Sequence, residues 1–327
     1  MEITATIETQ KIEFGSPDVL AGKESVHIGY GTDENFVMPM GVSMISVLEN
    51  NKELPIVFHV LTENISEKSI NQLKTIASRY PNCGVQVHFT DLGIIDGLPM
   101  FALGKATYIR VFLGQILDPA VEKILYLDGD IVCLQSIQNL IHRDFSGKTV
   151  MVVEDVPATA RKQEKKFQLQ QYFNAGMIFM NMVQWRQEKI SEKFLDVCFE
   201  YKERLNYLDQ DALNIVLEKK KLMVGREYNF IPLSAEETEV PDNAVFLHYA
   251  GTKPWYCWLD FPLKRYFIKY YKMSPWKDES LQQPRNYREM HYMSRARWRQ
   301  GKYFDSVYWF IQYISTKIKK KQFVECW

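Results

Sequence analysis

The stretch Lys-Ile-Leu-Tyr-Leu-Asp-Gly-Asp-Ile-Val, residues 123–132, decides the fold. Residues 124–127 form a short apolar run ending in a carboxylate, Asp128, and a second carboxylate, Asp130, follows after one glycine. Such a run is what a strand buried on both faces of a parallel sheet looks like. In extended chain, residues two apart point to the same side, so Asp128 and Asp130 can aim at one point. Gly129 between them allows a backbone or a ligand to approach closely. Open α/β sheets bind ligands at the carboxyl ends of their strands. Two like charges there need a positive partner, and a divalent cation shared with phosphate oxygens would serve. On these residues alone a plain turn remains open, because Asp and Gly also favour turns.

Outward from this stretch, the chain alternates strands and helices. Residues 26–30 (VHIGY) read as the first buried strand, broken at residues 31–35 (GTDEN). Gly41, Met44, Ile45 and Leu48 then recur on one helical face. Residues 55–62 (PIVFHVLT) are a second strand, Ser66 caps a helix running to about Arg79, and residues 85–90 are a third strand. This β-α-β-α-β order implies a parallel sheet with helices on both faces. No GxGxxG follows the first strand, which speaks against a dinucleotide-binding Rossmann domain. Residues 105–113 look helical, 136–141 a short helix, and 149–154 a strand ending at Glu154-Asp155. The polar, Lys- and Gln-rich residues 157–172 are expected to form a mobile loop. Residues 177–181 are then a strand, 183–204 and 209–219 helices, and 245–249 (VFLHY) a last strand. Strand after strand thus ends in a polar group: Asp33 and Asn35, Asp128 and Asp130, Asp155, His248. In a parallel sheet these ends share one edge and should line one cleft.

The 327 residues suit one large or two smaller domains, and 46% hydrophobic content suffices for a sizeable core. Formal net charge is zero, so nothing argues globally for nucleic-acid binding. The charge is unevenly placed, however. From Arg285 onward ten Lys and Arg face three acids, a net charge of +7 that leaves residues 1–284 at −7. The five cysteines are odd in number and widely spaced without a CxxC pair, which argues against a disulfide framework and structural zinc. A reducing cytoplasm is expected. Residues 1–24 show little pattern and are expected to be a leader without a signal-peptide apolar stretch.

Six motifs in order carry a family resemblance: IGYGTDENF at 28–36, ATYIR at 106–110, LYLDGD at 125–130, YFNAG at 172–176, LDQD at 208–211 and HYAGTKPW at 248–255. With them the chain resembles glycosyltransferase family 8, the retaining sugar-nucleotide-dependent enzymes of the GT-A fold. Within that family it is similar to bacterial lipopolysaccharide core α-glycosyltransferases that add glucose or galactose. The likeness runs from Val26 to the end of the chain. It departs at Gly129, where the family usually has Ala, and both carboxylates are kept.

The resemblance implies a GT-A (Rossmann-like) mixed, mostly parallel sheet flanked by helices, with a catalytic domain over 25–260 and a basic helical segment over 261–327. It implies a UDP-sugar donor, UDP-glucose or UDP-galactose, and a divalent metal held by Asp128, Asp130 and His248. The nitrogen of His248 suits Mn²⁺ better than Mg²⁺. Lys253, after Gly251, would add positive charge at the diphosphate. Thr32, Asp33 and Asn35 would hold the uracil and ribose, with an Asx turn open at Asp33. Arg110 would contact the diphosphate or donor sugar, with a surface salt bridge as the alternative. Asp155, Asn174, Asp209 and Gln210 suit hydrogen bonds to sugar hydroxyls, Asp209 equally an N-cap, and Ala175-Gly176 would let the backbone approach the sugar. Gln210 stands where a double displacement would need its nucleophile; an amide is a poor one, which favours front-face substitution.

The tail interleaves cations and aromatics (Arg295, Arg297, Trp298, Arg299, Lys302, Tyr303, Phe304), and Val307, Phe310, Ile311, Ile314 and Ile318 share one helical face. That is the pattern of a helix lying on anionic lipid, here the cytoplasmic face of the inner membrane where a lipopolysaccharide acceptor would be met. A core-packed helix with a basic edge is the alternative. A metal-dependent phosphohydrolase and a non-catalytic carbohydrate-binding protein remain as readings from other classes.

Overall fold

A computed structural model describes residue 3 and residues 7–98, 105–234 and 236–324. Its strands in chain order are β1 (Glu8–Gly15), β2 (Val26–Gly31), β3 (Ile56–Thr62), β4 (Cys83–Thr90), β5 (Lys123–Leu127), β6 (Ile131–Cys133), β7 (Val150–Glu154), β8 (Phe173–Asn181), β9 (Lys221–Met223) and β10 (Phe246–His248). Eight of them form one sheet in the order β1-β4-β3-β2-β5-β8-β7-β9, and β6 pairs with β10 in a small second sheet. β8 is antiparallel to both neighbours and β1 to β4, while the other pairings of the large sheet are parallel. The sheet is therefore mixed but mostly parallel.

The helices in chain order are α1 (Pro17–Ala21), α2 (Val37–Asn50), α3 (Glu67–Arg79), α4 (Leu113–Ile116), α5 (Gln138–Ile141), α6 (Pro157–Phe167), α7 (Met182–Gln187), α8 (Ile190–Tyr201), α9 (Leu208–Val216), α10 (Lys264–Tyr271), α11 (Tyr287–Arg299) and α12 (Tyr303–Val324). The pleat of β5 shows how the layers form. Leu125 and Leu127 join Met44, Leu48 and Leu73 of α2 and α3 in one apolar cluster. Ile124 and Tyr126 join Phe194 and Leu213 of α8 and α9 on the other face. Ser66 does cap α3, its Oγ accepting from the Ser69 N–H at 3.2 Å.

Four expectations change. Residues 157–172 are not a loop: α6 fills most of them, with Pro157 at its first turn and good helix formers behind it. Its sparse apolar residues hid it, since only Ala160 and Gln163 are buried. Residues 105–113 form two short 3₁₀ turns rather than one helix. The span 183–204 breaks into α7 and α8 at Lys189, whose φ is +51°. Residues 1–24 are not patternless, because β1 supplies an edge strand of the large sheet.

α10 also departs from a purely peripheral tail. Phe267, Tyr270 and Tyr271 are buried in the core, and the Tyr270 hydroxyl accepts from Asn50 Nδ2 at 2.8 Å. α11 and α12 pair as a hairpin in which Ser306 Oγ donates to Ser294 O at 2.9 Å.

Candidate functional site

β5 and β2 are neighbours and parallel, with Gly29 level with Tyr126. The loop after β2 and the Asp128–Asp130 turn therefore leave the same sheet edge. β8 runs the other way, so its first residues, not its last, reach that edge, and Asp128 N–H donates to Gly176 O at 2.8 Å. His248 arrives through the small sheet, where it stands opposite Ile131. Asp128, Asp130 and His248 meet, partly through the second sheet, whereas Asp33 and Asn35 bond within their own turn and to Arg285.

Asp128, Asp130 and His248 each offer a ligand atom, and these atoms lie within 4.8 Å of one another; it is the one such cluster among the described residues. His248 Nε2 is 3.2 Å from Asp130 Oδ1, and Lys253 forms an ion pair with Asp130 Oδ2. Burial alone would raise the Asp130 carboxyl; Lys253 and His248 outweigh it and hold the group well below the usual carboxylate range. Lys253 Nζ also donates to Tyr249 O at 3.0 Å. Two hard oxygens and one imidazole nitrogen, converging from a partly open carboxylate and two buried groups, are a donor set that fits a divalent cation such as Mn²⁺. Gly129 serves close approach, though to Met40 of α2: a Cβ there would meet Met40 Cβ at 3.3 Å and its Cα and N at 3.5 Å. Gly176 is tighter, since a Cβ would come 2.3 Å from His248 Cε1.

Arg110, buried in the second 3₁₀ turn, is no surface salt bridge. Its Nη2 lies 3.0 Å from Asp128 Oδ1, its Nη1 donates to Ala175 O, and its Cζ lies over the Tyr126 ring, 4.4 Å from the centroid. Tyr126 OH donates to the same Asp128 oxygen at 3.2 Å. Asp209, inside the first turn of α9 rather than at its cap, sits 3.1 Å from Arg110 Nε. That N–H instead donates to Thr107 O, so Asp209 Oδ2 is buried without an aligned partner. Burial pushes the Asp209 carboxyl up to about 7, Arg110 pulling against it and Asp128 with it.

Gln210 has every hydrogen-bonding position filled. Its Oε1 accepts from Ala175 N–H at 2.9 Å and Asn174 Nδ2 at 3.2 Å; its Nε2 donates to Asp155 Oδ2 at 2.8 Å and Tyr172 OH at 3.1 Å. Burial raises the Asp155 carboxyl, against Val156 N–H and Gln210. Asp33 forms the Asx turn, accepting from Asn35 and Phe36 N–H at 2.9 and 3.1 Å. Asn35 Oδ1 accepts from Arg285 at 2.8 Å, Thr32 is buried, and Gly251 is exposed with open space around it.

The sequence profile of the glycosyl transferase family 8 matches residues 27–258, and that of the family 8 C-terminal region residues 261–317. The chain belongs to glycosyltransferase family 8. This family 8 chain is 29% identical over 319 residues to a lipopolysaccharide 1,2-glucosyltransferase of Escherichia coli, covering 92% of this chain and 94% of that one. It is 30% identical over 311 residues to a lipopolysaccharide 1,3-galactosyltransferase of Salmonella typhimurium, covering 90% and 92%. The solved galactosyltransferase LgtC, in complex with donor and acceptor sugar analogs, shares the fold. It superposes with a TM-score of 0.69 at 23% identity, covering 77% of this chain and 99% of that one.

Within this family 8 site, three partners escaped the sequence reading. Tyr126 sits inside an apolar strand and reads as core. Tyr172 lies in a quoted motif, but only the fold shows its hydroxyl between Gln210 and Asp211. Asn229, with His248 Nδ1 3.0 Å from its Oδ1, ends no strand and carried no signal.

Proposed function

We propose that this family 8 chain is a retaining hexosyltransferase that moves glucose or galactose from a UDP-sugar to a hydroxyl of the lipopolysaccharide outer core. The convergence of Asp128, Asp130 and His248 within 4.8 Å carries the reading. These three residues would hold Mn²⁺ or Mg²⁺, which when bound supplies Lewis-acid charge at the donor diphosphate. Lys253 adds a positive charge beside the same carboxylate, and Arg110 holds Asp128 in place. Thr32, Asp33 and Asn35 would take the nucleoside, and Asp155, Asn174 and Asp209 the sugar hydroxyls. The lipopolysaccharide names of the relatives support the acceptor class.

Gln210 is read as a fixed polar wall of the sugar site rather than a nucleophile. Its amide nitrogen and oxygen are each held by two partners, which opposes attack on an anomeric carbon. Front-face substitution follows, the leaving phosphate oxygen taking the acceptor proton. Gln210→Ala should lower turnover by about 10- to 100-fold while leaving residual transfer with retained configuration. Abolished turnover together with a trapped glycosyl adduct on wild-type Gln210 would refute this. Calorimetric titration of UDP-glucose and UDP-galactose with Mn²⁺ tests the donor: one should bind at least about tenfold tighter, and binding of neither rejects the reading.

The division into a catalytic body over 25–260 and a membrane-associating segment over 261–327 belongs to the same proposal, supported by the separate match at 261–317. Because α10 packs into the core, surface binding falls to α11 and α12. Among the described residues no helix is long and apolar enough to cross a membrane. The reading places the chain on the cytoplasmic face of the inner membrane, where α11 and α12 would meet the lipid.

A further inference from the structure

Gln210, Asn174 and Asn229 form a directional row of amides that ends on the imidazole of His248. Two backbone groups set its direction. Ala175 N–H donates to Gln210 Oε1 at 2.9 Å, and Gly176 N–H donates to Asn174 Oδ1 at 3.0 Å. A backbone N–H can only donate, so both acceptor atoms are oxygens and neither amide can be flipped. Asn174 then presents Nδ2 to Gln210 Oε1 at 3.2 Å. Its Oδ1 must meet a donor, so Asn229 turns Nδ2 towards it at 2.9 Å. The remaining oxygen of Asn229 faces His248 Nδ1 at 3.0 Å. An amide oxygen only accepts, so Nδ1 carries hydrogen and Nε2 is the ring nitrogen left for a ligand.

We propose that Asn229 is a positioning residue for the metal ligand: it fixes His248 with hydrogen on Nδ1, so that Nε2 is the atom offered to a divalent cation. This rests on the metal reading of the Asp128, Asp130 and His248 cluster. Asn229 and His248 are each 2% exposed, so no bulk water substitutes for the amide oxygen. The two constraints on the ring are separate. Gly176 leaves room for the ring edge and nothing more, which sets its plane; Asn229 sets which nitrogen points inward. Partners of this kind, hydrogen-bonded to the far nitrogen of a ligating histidine, change metal affinity by about 10- to 100-fold when lost. The same row joins His248 to Gln210, so one set of amides orients the cation ligand and the amide at the sugar site.

The tautomer is read in the wild-type chain from long-range ¹H–¹⁵N spectra of histidine-labelled, metal-free protein, with the His248 signals assigned by their loss in His248→Ala. Hydrogen on Nδ1 is expected; a His248 with hydrogen on Nε2 and none on Nδ1 overturns the proposal. Mn²⁺ affinity by electron paramagnetic resonance gives the second readout. Asn229→Ala should weaken Mn²⁺ binding about 10- to 100-fold. Asn229→Asp keeps an acceptor at Nδ1 but loses the donor to Asn174 Oδ1, so it should weaken Mn²⁺ binding clearly less than Asn229→Ala does. Unchanged affinity in Asn229→Ala, or equal losses in both variants, overturns the positioning role. If His248→Ala itself leaves Mn²⁺ affinity unchanged, the metal reading has failed instead.

Discussion

Asp209 is the residue whose chemistry departs furthest from its surroundings. An unfolded aspartate ionises near 3.9, whereas burial holds the folded Asp209 carboxyl up to about 7. Between these values the folded chain binds the extra proton, so stability from this group falls as pH rises, and the loss is complete above 7. Asp209→Asn removes the ionisation. It should raise stability at pH 8 by on the order of 1–3 kcal/mol and change it little at pH 4. Denaturant unfolding at the two pH values measures this. Lower stability at pH 8 would show that the Arg110–Asp209 pair outweighs burial. The position of Asp209 in LDQD was legible in the sequence, but its missing partner was not, because the Arg110 N–H that could serve it turns to Thr107 O.

At the scale of elements, β1 to β4 carry a feature that no local pattern predicts. His27, His59 and His88 lie on β2, β3 and β4, and their rings form a row ending on Glu8 of β1. His27 Nδ1 is 2.9 Å from His59 Nε2, His59 Nδ1 is 3.0 Å from His88 Nε2, and His88 Nδ1 meets the Glu8 carboxylate. The carboxylate accepts, so the hydrogens run along the row in one direction with every ring neutral. Burial lowers the pKa of all three; His88, His27 and Lys11 add to the effect at His59, and Glu8 opposes it at His88. The unfolded chain then binds more protons below about pH 6.5, so stability rises with pH there and is lost as pH falls. Each histidine should take up to about 1.4 kcal/mol per pH unit below 6.5. Thermal melts from pH 7.5 to 5.5 should show the drop, and a His59→Leu, His88→Leu double variant should flatten it; an unchanged slope would remove the row as its cause. The spacing of these histidines means nothing until the strands stand in register, which is why alternation revealed β2, β3 and β4 but not their polar cross-links. α6 was lost for the converse reason: helix propensity without an apolar stripe gives periodicity nothing to detect.

Over the whole molecule, the apolar stripe of the tail is real and outward. Phe304, Val307, Tyr308, Ile311, Ile314 and Ile318 of α12 are exposed, Phe304 by 95%, while Ser306 turns inward to α11. The six motifs and the basic tail made this architecture legible, and the core packing of α10 was hidden behind its lysines. Truncation after Gly301 should cut sedimentation with anionic liposomes by about tenfold and spare hydrolysis of the sugar nucleotide. Equal liposome binding by the full and truncated chains would reject the surface role of α12.

The pairing of β6 with β10 has a consequence for the order in which the site comes into being. Asp130 and His248 are brought together only when Phe246, Leu247 and His248 lie down beside Cys133, Val132 and Ile131. A chain growing from its N-terminus can build β2, β3 and β4 from one βαβ step to the next, and β5 then joins β2 across a long separation, Leu125 beside Ile28. It then carries Asp128 and Asp130 on the first strands of the sheet with no imidazole to join them, and β7, β8 and β9 are added before His248 arrives. The site closes only after synthesis has passed Lys253, so a nascent chain stalled before that point would have its sheet and no cation site.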